Sequence, residues 1–208
     1  SEEGRMVMKN LLLAEEAGLG NGETPIFPIH IFKVKEGINF NKEDINYDLF
    51  KLACRVSAKR LFPNFSFLDA PFNLQYYKEG HPETEATYMG CRTRVVANSY
   101  DKSREITYGR GNLSFTSINL PRIAINANGS IDWFFDELDR KIDLVIDQLL
   151  ARYKVQAAKT VKNYPFLMGQ GIWLDSEKLG PNDTVGEVLK HGTLTAGFIG
   201  LAECLKAL

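Results

Sequence analysis

The sequence predicts an α/β fold built around a mostly parallel sheet. Short apolar runs typical of buried strands alternate along the chain with longer segments whose apolar residues recur at helical spacing. The order is strand, helix, strand, loop, strand, helix, strand, helix, which is typical of parallel strands joined by crossover helices, as in part of a barrel. Hydrophobic residues make up 44% of the 208 residues and charged residues 25%, the composition of an ordered globular chain.

The first half of the chain is predicted to contain two helices and two strands. Residues 6–17 have helical composition and end at the glycine-rich segment 18–22. Residues 25–34 alternate and are rich in Ile and Phe, which predicts a buried strand. Residues 48–60 carry one apolar helical face, and residues 65–68 form a second short strand.

The second half is predicted to contain three strands and two helices. Residues 94–97 and 113–125 are predicted strands, and Pro121 indicates an irregular end to the second. A long amphipathic helix follows its candidate N-cap Ser130, with the apolar stripe Phe134, Leu138, Ile142, Val145, Leu149 and Tyr153. Residues 194–199 are strand-like and lead into a terminal helix.

Charge and cysteine usage narrow the function classes. The formal net charge is −1 and the basic residues are interspersed with acidic ones, so no basic face for nucleic-acid binding is predicted. Cys54, Cys91 and Cys204 are too widely spaced for a disulfide framework or a paired zinc motif. No apolar run could cross a bilayer, and the N-terminus has no signal-peptide pattern. We therefore expect a reduced, cytoplasmic protein that binds neither nucleic acid nor membrane.

Both ends of the chain are unusual for a complete protein. It begins at Ser1 without an initiator Met, and it ends within the helical pattern of residues 201–208 without a cap. We expect a segment of a longer protein.

Cys91 is the cysteine with the most suggestive surroundings. It lies between Gly90 and Arg92, at the end of a long polar connection over residues 72–88. Arg92 and Arg94 would lower the pKa of its thiol and favour the thiolate. The alternative is a loop cysteine without a role. Cys54 and Cys204 lie in helical patterns and are predicted to be small core residues.

The segment Gly109-Arg-Gly-Asn112 precedes the clearest strand. A glycine turn that leads into a strand reverses the usual phosphate-binding order, in which a strand leads through a glycine loop into a helix. Asn112 is therefore either a polar group inside a cavity or an ordinary turn residue.

Histidines and arginines leave further alternatives open. The three histidines lack metal-ligand spacing, and His30 in a predicted strand is expected to be a satisfied core residue. His191 starts a polar turn at the beginning of a strand. This turn could contact a ligand, but an ordinary turn is the favoured interpretation. Arg92, Arg94 and Arg110 are candidates for binding phosphates, but solvated arginines are commoner, so no role is assigned to them.

Several longer stretches carry more specific information than any single glycine pattern. They are Gly18 to Phe32 (GLGNGETPIFPIHIF), Met89 to Arg94 (MGCRTR), Tyr108 to Phe115 (YGRGNLSF) with Ile118 to Arg122 (INLPR), and His191 to Leu205. In content and order these stretches resemble the anaerobic, glycyl-radical ribonucleoside-triphosphate reductases, and the resemblance runs essentially from end to end of the chain.

The resemblance implies a particular fold. The family domain is a ten-stranded α/β barrel made of two antiparallel half-barrels, with a finger loop that enters the barrel and presents a cysteine at its tip. Residues 1–208 would form one partial catalytic barrel domain. The finger loop would cover about residues 86–94, with Cys91 at its tip.

The resemblance also implies the chemistry. Cys91 would be a transient thiyl radical that abstracts the ribose 3′ hydrogen of a ribonucleoside triphosphate, which then loses its 2′ hydroxyl, and Asn112 would lie beside the ribose. The radical would be stored on a glycine near the C-terminus and installed by an iron–sulfur, S-adenosylmethionine-dependent activase. The family further implies a structural zinc, formate or a thiol as reductant, ATP and deoxynucleotide effectors, and a homodimer. No cofactor or metal is expected within residues 1–208 themselves.

The family's glycyl-radical segment, cysteine-rich zinc module and N-terminal nucleotide-sensing region have no counterpart in these 208 residues, so this segment alone is predicted to be inactive. Two other functions were considered. Enzymes of the pyruvate formate-lyase type share the barrel but carry two adjacent cysteines at the finger tip, whereas Arg92 follows Cys91 here. The other is a non-catalytic nucleotide-binding or dimerisation module, in which the helix over residues 131–160 packs against a partner.

Overall fold

The computed structural model of the protein describes residues 1–90 and 92–208 and shows a mixed α/β fold. The helices are α1 (Glu2–Ala17), α2 (Tyr47–Arg60), α3 (Pro71–Leu74), α4 (Leu120–Ala127), α5 (Ile131–Ala157), α6 (Gly186–Leu189) and α7 (Leu201–Ala207). The strands are β1 (Ile31–Val34), β2 (Asn64–Phe67), β3 (Thr87–Met89), β4 (Thr93–Val95), β5 (Asn112–Asn119) and β6 (Thr193–Ile199).

The chain divides into two compact units. The first comprises Ser1–Asn98 and Lys102–Thr107, and the second comprises Ser99–Asp101 and Tyr108–Leu208. Within the described residues each unit holds one parallel strand pair, β1–β2 in the first and β5–β6 in the second. The predicted parallel pairing is therefore confirmed, although it is distributed over two small sheets.

The first unit is built on a strand–helix–strand arrangement. β1 and β2 pair in parallel from Ile31–Asn64 to Val34–Phe67, and α2 connects them while α1 packs against α2. The helices pack against the strands because the apolar face of each element is buried only when it contacts the apolar face of another. The core contains Leu12, Phe32, Val34, Leu49, Ala53 and Val56.

An antiparallel hairpin follows in the same unit. β3 and β4 pair from Thr87–Val95 to Met89–Thr93, which leaves three residues at the connection. Ala86 and Val95 at its base are buried. The base of the hairpin is therefore apolar and buried within the first unit.

The second unit packs three helices around its parallel pair. α4, α5 and α7 form a cluster with the end of β5, and α5 begins at Ser130, whose hydroxyl accepts a hydrogen bond from the backbone N–H of Trp133. This bond confirms the predicted cap. The core contains Ile118, Leu120, Ile123, Ala124, Ala127, Phe134, Val145, Leu149 and Cys204.

One predicted strand is wrong in its second half. Residues 113–125 contain β5 only as far as Asn119, after which α4 begins. Asn119 caps α4 by accepting a hydrogen bond from Arg122 N–H, and Pro121 stands in the first turn, where its missing N–H costs nothing. The buried face of this helix consists of Leu120, Ile123, Ala124 and Ala127, whereas Ile125 is exposed.

Two further differences concern the first unit. β3 lies in a region predicted to be a loop, and β1 begins only at Ile31 within the predicted strand 25–34. Cys54 was predicted to be a core residue, but it is exposed on α2, because the apolar face of that helix is formed by Leu49, Ala53 and Val56. Cys204 is buried, as predicted.

Candidate functional site

The β3–β4 hairpin carries the predicted radical cysteine. Cys91 itself lies outside the described residues. On either side of it, Gly90 has a φ of 54° and Arg92 a φ of 79°. Glycine adopts the left-handed region without penalty, but for a residue such as Arg it costs free energy and occurs where the surrounding structure enforces it. The backbone of Arg92 is therefore conformationally strained.

Hydrogen bonds fix the hairpin to the body of the first unit. The hydroxyls of Tyr88 and Ser66 are 2.5 Å apart, and Ser66 lies in β2 with 3% of its surface exposed. The hydroxyl of Thr87 donates to the carbonyl of Thr107 at 2.7 Å. Strand β2 and the loop that contains Thr107 thus determine the position of β3.

Arg94 contributes a second attachment. Its guanidinium donates to the carbonyl of Phe72 at 3.0 Å and to Oδ1 of Asn73 at 2.9 Å, and it lies 5.0 Å from the centre of the Phe72 ring. Asn73 is buried and donates in turn to the carbonyl of Phe67. Arg94 thus acts as a structural tie, whereas Arg92 is exposed.

Asn112 lies at the start of β5 in the second unit, and its side chain is exposed. The hydroxyl of Thr193, directly opposite on β6, donates to Oδ1 of Asn112 at 2.5 Å. Ser114 pairs with Leu194, so Leu113 is an additional residue that forms a β-bulge between the two pairs.

The bulge determines which way the Asn112 side chain points. Phe115 pairs with Thr195, two residues after Thr193, and paired residues point to the same face of a sheet. Asn112 and Phe115 therefore share one face, and Phe115 is 71% exposed. On the opposite face, Arg152 of α5 donates to strand hydroxyls. Asn112 thus lies on the face that the helices of this unit leave open.

The glycines before Asn112 have a packing role. A Cβ on Gly111 would lie 2.9 Å from the Trp173 ring, and one on Gly192 would lie 2.8 Å from Cγ of Leu113. Gly109 has a φ of 65°, and its carbonyl accepts from Leu174 N–H at 2.7 Å. The turn therefore needs glycine for close backbone and ring contacts.

His191 is a buried structural residue with 2% of its surface exposed. Its Nε2 lies 3.0 Å from Oδ2 of Asp175, its ring packs edge-on against Tyr100, and its carbonyl accepts from Nε of Arg110 at 2.7 Å. Burial lowers the pKa of the Arg110 guanidinium. These contacts favour a structural role for both residues over ligand binding.

His30 likewise has a structural partner, as predicted. Its Nδ1 lies 3.0 Å from a carboxylate oxygen of Glu15, and both side chains are 9% exposed. The pair joins α1 to the segment before β1.

Among the described residues, each unit contains a groove. A groove of about 570 Å³ in the first unit is lined in part by Arg5, Phe32 and Asn46. A groove of about 410 Å³ in the second is lined in part by Tyr100 and Tyr153. Asn112 lines neither of them.

Two negative findings apply to the described residues only. In 1–90 and 92–208 no three His, Cys, Asp or Glu side chains are grouped to hold a metal ion. In the same part of the chain, no helix is long and apolar enough to cross a bilayer.

A comparison with protein families matches the whole chain, residues 1–208, to anaerobic ribonucleoside-triphosphate reductase. The chain belongs to that family. The resemblance of the sequence motifs to this family is thereby confirmed.

Individual reductases agree with this assignment. The chain is 31% identical over 211 residues to the anaerobic ribonucleoside-triphosphate reductase of Escherichia coli K12, a match that covers 100% of this chain and 28% of that protein. It is 32% identical over 208 residues to the reductase of phage T4, covering 96% of this chain and 33% of the phage protein. The chain thus spans about a third or less of these relatives.

A solved structure supports the fold. The crystal structure of the anaerobic ribonucleotide reductase from Thermotoga maritima, in complex with dATP and CTP, matches with a TM-score of 0.51 and 15% sequence identity. The match covers 98% of this chain and 28% of that one. At this identity the likeness concerns the fold alone, and it confirms the mixed α/β class.

The contacts of Tyr88, Ser66 and Thr193 were not predicted from the sequence. Each is an ordinary polar residue within a strand, and its partner is 22 or 81 positions away. The sequence indicated these residues only through their position near singled-out residues. Tyr88 lies three residues before Cys91, and Thr193 lies two residues after His191.

Proposed function

We propose that this chain forms part of the catalytic barrel of an anaerobic ribonucleoside-triphosphate reductase, which converts ribonucleoside triphosphates into 2′-deoxyribonucleotides for DNA synthesis. The observation that carries the proposal is the family match over the whole chain. The ten-stranded barrel, the finger loop and the single partial domain over residues 1–208 are parts of this proposal.

In this proposal the β3–β4 hairpin is the finger loop, and Cys91 is the residue that becomes a thiyl radical. The left-handed conformation of Arg92 supports it, because strained backbone is concentrated at functional sites. The side-chain hydrogen bonds of Tyr88 and Arg94 support it as well, because a reacting group must be held by a rigid segment of the structure.

The reaction begins when the sulfur takes the 3′ hydrogen atom of the ribose, so that an S–H bond forms as the C–H bond breaks. The 2′ hydroxyl then leaves as water, and oxidation of formate to carbon dioxide, or of two thiols to a disulfide, supplies two electrons, with two protons taken up overall. The hydrogen atom returns from the sulfur to C3′, which restores the thiyl radical. Exclusion of water protects such intermediates, and a barrel interior would provide that exclusion.

Asn112 is proposed to bind the ribose. A carboxamide offers two donors and an acceptor, and it cannot take up or release a proton at physiological pH. Its position on the face that α4, α5 and α7 leave open supports this role.

Other components of the reaction are proposed to come from outside these residues. Protein side chains do not generate radicals unaided, so a glycyl radical installed by an iron–sulfur, S-adenosylmethionine-dependent activase is required. The structural zinc that the family implies is likewise proposed to be bound outside these residues. The nucleotide effectors and the homodimer belong to the whole enzyme.

The test uses the complete gene product that carries this chain, purified without oxygen and combined with its activase. Glycyl radical is measured by electron paramagnetic resonance, and deoxyribonucleotides are measured after addition of ribonucleoside triphosphates and formate or a thiol. Radical with deoxyribonucleotide product supports the proposal. Radical with cleavage of pyruvate instead would favour the acyl-transferase alternative, and nucleotide binding without radical or product would favour the non-catalytic module.

A further inference from the structure

We propose that Arg94 is a positioning residue for Cys91, and that the buried side chain of Asn73 in α3 is the anchor to which it is attached. The inference rests on the proposed role of Cys91 and adds a residue outside the hairpin to the site. Arg94 donates hydrogen bonds to the carbonyl of Phe72 at 3.0 Å and to Oδ1 of Asn73 at 2.9 Å. The Arg94 guanidinium also lies over the Phe72 ring.

Arg94 can control the hairpin because it lies directly opposite Tyr88. The two residues are paired in register, and they stand three positions after and three positions before Cys91. Paired residues on neighbouring strands point to the same face of a sheet, so both side chains leave the hairpin on one face. Each strand of the hairpin therefore has a side-chain attachment at the same level.

The two attachments end at consecutive residues of β2. Tyr88 shares a hydrogen bond with the hydroxyl of Ser66, and the amide nitrogen of Asn73 donates to the carbonyl of Phe67 at 2.8 Å. Ser66 and Asn73 are each 3% exposed, so water does not readily replace either partner. The hairpin is thus joined to β2 through two separate contacts, and it cannot turn about one of them without breaking the other.

The opposite face of the hairpin is also held. Thr87 and Val95 form the neighbouring pair, and their side chains point to the other face. Val95 is 4% exposed, and the hydroxyl of Thr87 donates to the carbonyl of Thr107. Thr107 is itself buried, and its own hydroxyl donates to the carbonyl of Glu85 at 2.7 Å. The strands that flank Cys91 are therefore fixed on two faces.

The strained backbone of the connection requires such support. Arg92 has a φ of 79°, a conformation that persists only where the surrounding structure enforces it. Met89 and Thr93 form the last pair of the hairpin, so the strained residue directly follows Cys91 within a connection of three residues. Release of Arg94 from its anchor would allow this connection to relax, and Cys91 would move with it.

The experiment compares R94M, R94K, N73A and the double variant N73A/R94M in the complete gene product. Methionine removes the donors of arginine, and lysine keeps the charge without the planar fork that binds two acceptors. R140M is the control for loss of charge, because Arg140 is 81% exposed in an ion pair with Glu137. Glycyl radical content and the Kd of CTP are measured, together with kcat for CTP and for 3′-deuterated CTP.

R94M is expected to lower kcat about ten- to a hundredfold with parental radical content and CTP affinity, because displacement of a reacting group by about 1 Å can cost that much rate. The isotope effect with 3′-deuterated CTP is expected to rise, since transfer of the 3′ hydrogen to the sulfur becomes slower. R94K is expected to fall between R94M and the parent. N73A is expected to lower kcat in the parent and to add little to R94M, because the two residues act as one unit.

A parental kcat in R94M overturns the inference. So does a lower kcat with an unchanged isotope effect, since that result indicates fewer active molecules and not a displaced thiol, and so does an equal loss in R140M. If R94M fails to hold a radical, R94K and N73A decide by the same readouts. If C91A forms product normally, the proposed role of Cys91 fails first, and the C91A variant alone reveals it.

Discussion

Tyr88 of the hairpin and Ser66 of the parallel pair share a hydrogen bond of 2.5 Å between their hydroxyl oxygens. Ser66 is 3% exposed, so water cannot readily replace Tyr88 as its partner. The bond connects the strand that precedes Cys91 to the core of the first unit. The position of the proposed finger loop therefore depends on a hydroxyl far from the reacting atoms in sequence.

Removal of the Tyr88 hydroxyl should loosen the hairpin. Y88F leaves the Ser66 hydroxyl buried without this partner, at a cost of about 1–3 kcal/mol, whereas Y88F/S66A removes both groups and should cost less. Hydrogen exchange of the amides in residues 85–95 checks the effect, together with product formation in the complete protein. Y88F should exchange faster and form product more slowly with its glycyl radical retained. Unchanged amide protection in Y88F would contradict the structural role of this bond.

Arg60 should hold the glycine-rich segment after α1. Its guanidinium donates to the carbonyls of Glu16, Ala17 and Gly22 at distances of 2.6–2.9 Å, and these carbonyls follow the last turn of α1 or lie within it. R60M should therefore destabilise this region by roughly 1–3 kcal/mol. Faster hydrogen exchange over residues 14–24 would report it.

Arg55 provides the matched control for Arg60. It forms an ion pair with Glu16 at 2.8 Å, but its side chain is 61% exposed. Exposed ion pairs contribute little to stability, so R55M should leave exchange over the same residues nearly unchanged. Equal effects of the two variants would show that charge, and not the carbonyl contacts, holds the segment.

Gly111 should not tolerate a side chain. An added Cβ would lie 2.9 Å from the ring of Trp173, and that ring is 6% exposed and tied by its N–H, so it has little room to move. G111A should cost about 1–3 kcal/mol through overpacking and lower the melting temperature. G20A is the control, because a Cβ there meets nothing within 4 Å. A G111A protein as stable as G20A would refute the packing role of this glycine.

Local sequence patterns predicted the long elements well. α2 and α5 have apolar residues at helical spacing over several turns. α5 also has a capping serine, so its hydrophobic periodicity and its N-cap both indicated the same helix. β3 was missed because a strand of three residues is too short to show alternation. α4 was mistaken for strand because its isoleucines favour either state, and only its packing against α5 and α7 decides between them.

The candidate site was predicted only in part. Motifs singled out Cys91 and Asn112, and they did so through resemblance to a family and not through the chemistry of the residues alone. The partner Thr193 was not predictable, because its contact depends on a register shift between strands that are 81 residues apart. A one-residue bulge leaves no mark in the hydrophobic pattern, yet it decides which face a side chain occupies.

Replacement of Cys91 by alanine tests the central claim most directly. The C91A variant of the complete gene product is activated with its partner, and glycyl radical and deoxyribonucleotide are measured in the same sample. The proposed role predicts a normal glycyl radical and no product, because the stored radical would lack the thiol that passes it to the ribose. Product formation near the parental rate would contradict the thiyl assignment, and the finger-loop interpretation of residues 86–94 would have to be abandoned with it.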